Sequence, residues 1–341
     1  MATPVRGSAN VGHPARRRRS FRPAPSAATG HRADGSLRLT TPHAGQADPA
    51  PSTGRPRSKA AAYLALTKPR IIELLLVTTV PTMVVAERGL PSVWLMAATV
   101  IGGTAAAGGA NAINMVYDRD IDRLMERTKG RPMVTGEITP RAGLVFALGL
   151  EAGAFAWLWT TVNLLSAVLA VSATAFYVFV YTMWLKRKSE HNIVIGGAAG
   201  AVPVLVGWSA VTGSLGWAPV VLFAVIFWWT PPHFWALAIK YQADYSAASV
   251  PMLPSVREGR VVAVRIVLYT VLLWALTLLF APVAGMGHVY LGSALVLGAV
   301  FMVLAVRLLH DTTPKAAMRL FGWSITYITV LFGAMALDQL V

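Results

Sequence analysis

At 341 residues, with 55% hydrophobic and 13% charged side chains, the chain is too apolar for a soluble globular domain, in which about 25% of residues are charged. The absence of cysteine excludes disulfide frameworks, thiolate metal sites and Cys nucleophiles. The formal net charge of +15 sits largely in an N-terminal tail and in a few loops between long apolar runs, a pattern that suits a membrane surface and argues against nucleic acid as a partner.

In chain order, residues 1–58 come first. They are rich in Pro, Ala, Ser and Gly, carry the Arg16–Arg19 block and have no apolar periodicity. This composition predicts a disordered basic arm near the anionic inner leaflet. No apolar stretch follows the arginines closely, so a cleaved signal peptide is not expected. Residues 59–341 are expected to form one transmembrane domain.

Windows of about 20 apolar residues predict nine spans, at 70–87, 92–115, 141–160, 164–184, 192–213, 217–239, 261–283, 288–308 and 319–338. With the N-terminus cytoplasmic, every Lys and Arg except Arg88 falls on the cytoplasmic side. The fold class is therefore all-α, a polytopic membrane protein whose polar chemistry lies towards the cytoplasm. Gly102, Gly103, Gly108 and Gly109 in the second span, and Gly196, Gly197 and Gly200 in the fifth, predict close helix approach.

The most informative stretch is 111–132, NAINMVYDRDIDRLMERTKGRP. Asn114, Asp118 and Asp122 are four apart, so on a helix they share one face at the cytoplasmic end of the second span. Asn111 lies one turn earlier, and Asp120 points elsewhere. Like charges on one helix face repel, and desolvation near a membrane adds to the cost. A bridging cation relieves both, and oxygen donors without His or Cys suit Mg²⁺ or Mn²⁺. Arg123, Arg127, Lys129 and Arg131 follow at once, and guanidinium groups bind phosphate oxygens in bidentate fashion. Carboxylate and metal beside a basic cluster is the chemistry of a diphosphate site.

This pattern resembles the first polar motif of the intramembrane UbiA-type prenyltransferases. The longer string DRDIDRLMERTKGRP is similar to the haem-farnesylating branch of that family. So are TKPRIIELLLVTTVP at 67–81, YTMWLKRKSEHNIVIGGAAGAVP at 181–203 and PPHFWALAIKYQADYSAASVPMLP at 231–254. The resemblance implies about nine helices around an intramembrane cavity open to the cytoplasmic side of the plasma membrane. It implies farnesyl transfer from farnesyl diphosphate to a vinyl group of haem b, with water adding, to give haem O and diphosphate. Mg²⁺ is the implied cofactor, and haem b is a substrate. Haem A synthase and terminal oxidase assembly factors are implied as candidate partners.

On that resemblance Asp118 and Asp122 are expected to hold the metal, with Asn114 supporting. Arg70, Arg123, Arg127, Arg131, Lys186, Arg187 and Lys240 are the candidate diphosphate contacts. The quinone-type members carry a second acidic motif after the sixth span. Here that region offers His233, Lys240, Asp244 and Tyr245, of which only Asp244 supplies a carboxylate. This departure favours haem over a quinone precursor or chlorophyllide as acceptor. Trp228, Trp229, Phe234 and Trp235 are candidates for a haem or prenyl pocket, with an interfacial aromatic belt as the alternative. His233, after two prolines and inside a span, is a candidate iron ligand or proton carrier; a hydrogen-bonded structural role is its alternative. Lys240 and Asp244 are expected to share a face and either pair or complete the phosphate site. Glu73 is expected to pair with Arg70, and Glu151 to bond between helices. An anion transporter, the reading from another class, would need charges along a path across the bilayer, whereas here they gather at one end.

Overall fold

The computed structural model describes residues 58–341, of which 70–76 as backbone only. The expected basic arm lies outside the described residues apart from Ser58, and the expected Arg70–Glu73 pair lies outside the described side chains. No strand occurs among the described residues.

A short helix, α1 (Lys59–Leu66), is capped by Ser58, whose Oγ accepts from Ala61 N at 3.2 Å. The long helices are α2 (Pro69–Glu87), α3 (Val93–Tyr117), α6 (Pro140–Thr161), α7 (Leu164–Ala175), α9 (Asn192–Thr212), α10 (Trp217–Lys240), α13 (Gly259–Ala284), α14 (His288–Arg307) and α15 (Pro314–Asp338). α7 widens into a π-helix over Phe176–Leu185 and ends in α8 (Lys186–Lys188), so the three pieces form one continuous span. Eight helices among the described residues are long and apolar enough to cross a membrane. The described apolar part of α2, Val77–Glu87, is shorter than a full span.

Between the spans lie α4 (Arg119–Leu124) and α5 (Pro132–Thr135), then α11 (Gln242–Ala247) and α12 (Leu253–Val256). The sequence reading placed none of these. They are too short for periodicity to register, and they form because neighbours hold them. α4 and α11 meet through Ile121, Met125, Tyr245 and Ala248, with Ile193 of α9 against them.

Capping explains the starts of four long helices. Ser92, Thr139, Asn163 and Thr313 each accept a backbone N–H from the first turn of α3, α6, α7 and α15. Pro140 and Pro314 occupy the first helical position, where the missing N–H costs nothing. α15 begins five residues before the expected 319 because residues 314–318, with Lys315 among them, lie outside the apolar window yet continue a capped helix. Gly213 and Gly285 end α9 and α13 in the left-handed conformation, at φ +65° and +67°.

Small residues bring elements together at Gly102, Gly108, Gly109, Gly196 and Gly197, whereas the expected close approach at Gly200 is not found, since a Cβ there would meet nothing within 4 Å. A Cβ on Gly109 of α3 would stand 2.5 Å from Glu151 Oε1 of α6, and one on Gly207 of α9 would stand 2.7 Å from the Thr79 carbonyl oxygen of α2. Glu151 is bonded between helices as expected, accepting from Thr174 Oγ1 at 3.1 Å. The largest apolar core joins α9, α10, α13, α14 and α15 around Trp229, Trp235, Phe280, Tyr290, Phe301, Tyr327 and Phe332.

Candidate functional site

α3 ends at Tyr117, and Asp118 (φ −85°, ψ 7°) joins it to α4. Four-residue spacing survives the joint, because Asp118 N donates to Asn114 O and Asp122 N to Asp118 O, both at 2.9 Å. Asn114, Asp118 and Asp122 therefore stand as a ladder, and all three are buried, the Asp118 side chain completely. A carboxylate at the C-terminal end of a helix faces the negative end of the helix dipole. Burial there demands positive charge nearby.

The surrounding elements supply it. Lys68 Nζ donates to Asn114 Oδ1 at 2.9 Å, and Asn114 Nδ2 donates to Asp118 Oδ2 at 2.7 Å and to Thr182 Oγ1 at 3.1 Å. Lys186 pairs with Asp118 Oδ2. Arg131 Nη1 lies 2.8 and 2.7 Å from the two oxygens of Asp122. Arg187 lies 3.6 Å from Asp118 Oδ1 and holds both oxygens of the exposed Asp120 at 2.7 and 2.8 Å, which pulls the Asp120 carboxyl down to about 2. Burial first, and then the Arg131 and Lys186 charges, push the Lys68 ammonium down to about 7. The cations thus crowd one another as well as the acids.

Two of these partners escaped the sequence reading. Lys68 precedes Pro69, which disfavours the ordinary helical conformation. It adopts φ 53°, and its side chain runs back over α3. Its position beside a proline at the mouth of a span was the available signal. Thr182 reaches Asn114 from the π-helical segment, which no local pattern announces.

The candidate diphosphate contacts separate into groups. Arg131, Lys186 and Arg187 converge on the ladder. Arg127 lines a cavity of about 320 Å³ with Lys68, Arg131, Gly130, Ala65, Met115 and Pro132, while its guanidinium lies 5.7 Å from the Tyr241 ring. Arg123 is exposed, and Lys129 pairs with Glu126 on the surface. Arg70 lies outside the described side chains.

Lys240 and Asp244 do not share a helix face. α10 stops at Lys240, and Tyr241 (φ −105°, ψ 25°) turns the chain before α11 starts. The expected pair is therefore not formed. Lys240 is exposed, with Nζ 5.3 Å from the Tyr241 ring, and Asp244 Oδ2 accepts from Arg127 N at 3.5 Å. Asp244 is thereby tied to the segment that follows the ladder.

His233 lies in other surroundings. Its ring stacks between Trp229 and Phe321, with centroids 4.2 and 4.6 Å away, and Nδ1 is 2.6 Å from Ser324 Oγ of α15. Trp229 Nε1 donates to the Ser324 carbonyl at 2.9 Å. Trp228 and Trp235 both pack against Tyr269 of α13 at 5.2 Å, and Phe234 is partly exposed.

The donor set fits a magnesium ion. Asp118 Oδ1 is buried without a hydrogen-bond partner among the described residues. No group of three or more His, Cys, Asp or Glu gathers there, so the protein offers two carboxylates and an amide. Mg²⁺ is commonly held by one or two carboxylates while substrate phosphates complete its octahedron.

Comparison with known proteins shows the family of the chain. The model of the UbiA prenyltransferase family matches residues 75–332. Protoheme IX farnesyltransferase 2 of Saccharopolyspora erythraea is 52% identical over 288 residues, covering 84% of this chain and 88% of its own length. The solved structure of a digeranylgeranylglyceryl phosphate synthase superposes with a TM-score of 0.69 at 17% identity, over 82% of this chain and 98% of its own. A UbiA homolog from Archaeoglobus fulgidus bound to GPP and Mg²⁺ superposes at 0.55 and 15% identity, over 81% and 99%. At these identities the two structures speak for the fold alone.

Proposed function

Because the chain belongs to the UbiA prenyltransferase family, we propose that it farnesylates haem b from farnesyl diphosphate at the cytoplasmic face of the plasma membrane. The observation that carries this reading is the buried ladder Asn114–Asp118–Asp122 inside a shell of Lys68, Arg131, Lys186 and Arg187. The acceptor is taken from the 52% identical relative, a protoheme IX farnesyltransferase by name.

The allylic C–O bond breaks with its electron pair leaving on the diphosphate. A vinyl carbon of haem b bonds to the allylic carbon, and water adds to the resulting cation and releases one proton. Asp118 and Asp122, with Asn114 beside them, would hold Mg²⁺, which when bound supplies positive charge to the leaving group. Lys68, Arg131, Lys186 and Arg187 bind the diphosphate oxygens, and Arg127 guards the adjoining cavity. These groups are held before substrate arrives, so their charges need little reorganisation when negative charge develops. Burial keeps bulk water from the site and strengthens each interaction. The Lys and Arg bias of the loops supports a cytoplasmic N-terminus and a cytoplasmic opening.

The test is expression of the chain with a haem source and analysis of haems by mass spectrometry. Haem O is expected from the wild type, with almost none from Asp118→Ala. Prenylation of 4-hydroxybenzoate while haem b stays unconverted would overturn the acceptor.

A further inference from the structure

The turn that carries Lys186 and Arg187 is fastened at both ends. One end reaches the ladder through those two side chains. The other is held by Glu190, in the short connection Ser189–His191 between α8 and α9. The Glu190 carboxylate accepts from Arg257 Nε at 2.7 Å and Nη2 at 3.2 Å, and from Arg265 Nη1 at 3.2 Å and Nη2 at 3.3 Å. His191 Nε2 stands 3.9 Å away. Arg257 closes α12, and Arg265 lies in the second turn of α13. Two residues on, the fully buried Asn192 donates from Nδ2 to the Pro251 carbonyl at 3.3 Å. The 186–192 turn is thus stitched twice to the 251–265 segment, whose Met252, with the preceding Tyr245, Ala248 and Val250, packs with Ile121 of α4, on which Asp122 stands, and with Met125 just beyond it.

We propose that Glu190 is a positioning residue for diphosphate capture: clamped by Arg257 and Arg265, it holds the 186–188 turn so that Lys186 and Arg187 face the ladder. This rests on the reading of Lys186 as a diphosphate ligand. Among the described residues, Glu190 is the acid that ties this turn to Arg257 and Arg265. Lys186, Arg187 and Lys188 in a row repel one another, and Glu190 is the acid nearest to them in sequence. Ion pairs near the surface add little to global stability. Removing Glu190 therefore leaves the bundle folded and loosens the turn, which keeps its second stitch at Asn192. Small misplacements of a binding group cost rate and affinity well beyond their structural cost.

The test uses the full-length protein in detergent, with farnesyl diphosphate and haem b varied separately. Glu190→Gln is expected to raise KM for farnesyl diphosphate about fivefold, with KM for haem b and the thermal midpoint unchanged. Glu190→Asp should recover most of the loss. The Arg257→Gln/Arg265→Gln pair should reproduce the defect, and adding Glu190→Gln to it should do no further harm. A purely structural role would lower the midpoint or the amount of active enzyme at unchanged KM, and that result would overturn the proposal. Lys186→Gln separates the two levels. If it leaves KM for farnesyl diphosphate unchanged, the diphosphate reading fails. If it raises that KM while Glu190→Gln does not, only the role of Glu190 fails.

Discussion

The inner end of α3 and the meeting of α10 with α15 both bury polar side chains, and they do so in opposite ways. At α3, carboxylates are matched by lysines and arginines drawn from α5, α8 and the approach to α2. At α10, an imidazole meets a hydroxyl and is wrapped in aromatic rings. The first centre holds charges set out in advance for a charged ligand. The second is satisfied by dipoles and packing. A buried charge pair is poor evidence for stability, since desolvation offsets much of its attraction. Its persistence at α3 points to function, whereas the hydrogen-bonded imidazole suffices to join two helices.

That contrast can be broken by mutation. The largest effect is expected from Asp118→Ala or Asp122→Ala, each reducing haem O formation by a factor of about 100 or more, since the half-buried Lys186 or Arg131 is left without its partner and the metal loses a ligand. Next come Lys68→Gln, Arg131→Gln and Lys186→Gln, each weakening prenyl diphosphate use by about 10-fold, as measured by kcat/KM. Ser324→Ala probes the other centre. It removes the partner of His233 and should cost about 1–2 kcal/mol in thermal or denaturant stability, with kcat in the surviving protein changed far less. Arg123→Gln should be nearly silent, within about twofold in activity, because the side chain is exposed. A large loss there would show that the basic run acts as a block rather than through selected members.

The same two regions show what a sequence can reveal. Span positions were legible because an apolar window of fixed length is a local property. The ladder was legible for the same reason: spacing of four places Asn114, Asp118 and Asp122 on one face, and backbone bonding carries that spacing through the joint at Asp118. Its partners were harder to see. Lys68 is 46 residues from Asn114 and Thr182 is 68 residues from it, so packing decides those contacts. Glu190 gains its arginines across comparable separations of 67 and 75 residues. The spacing rule that found the ladder failed at Lys240 and Asp244, because Tyr241 breaks the helix between them. Equal spacing therefore carries information only where the backbone stays helical.

The central claim is that the α3 ladder and its cations together grip a magnesium diphosphate. The most direct measurement is calorimetric titration of the purified protein with inorganic pyrophosphate, with Mg²⁺ and then with EDTA, for the wild type and for Asp118→Ala/Asp122→Ala. The account predicts saturable binding by the wild type with Mg²⁺, lost in EDTA and lost in the double variant. Equal binding by the double variant with Mg²⁺ present would contradict it.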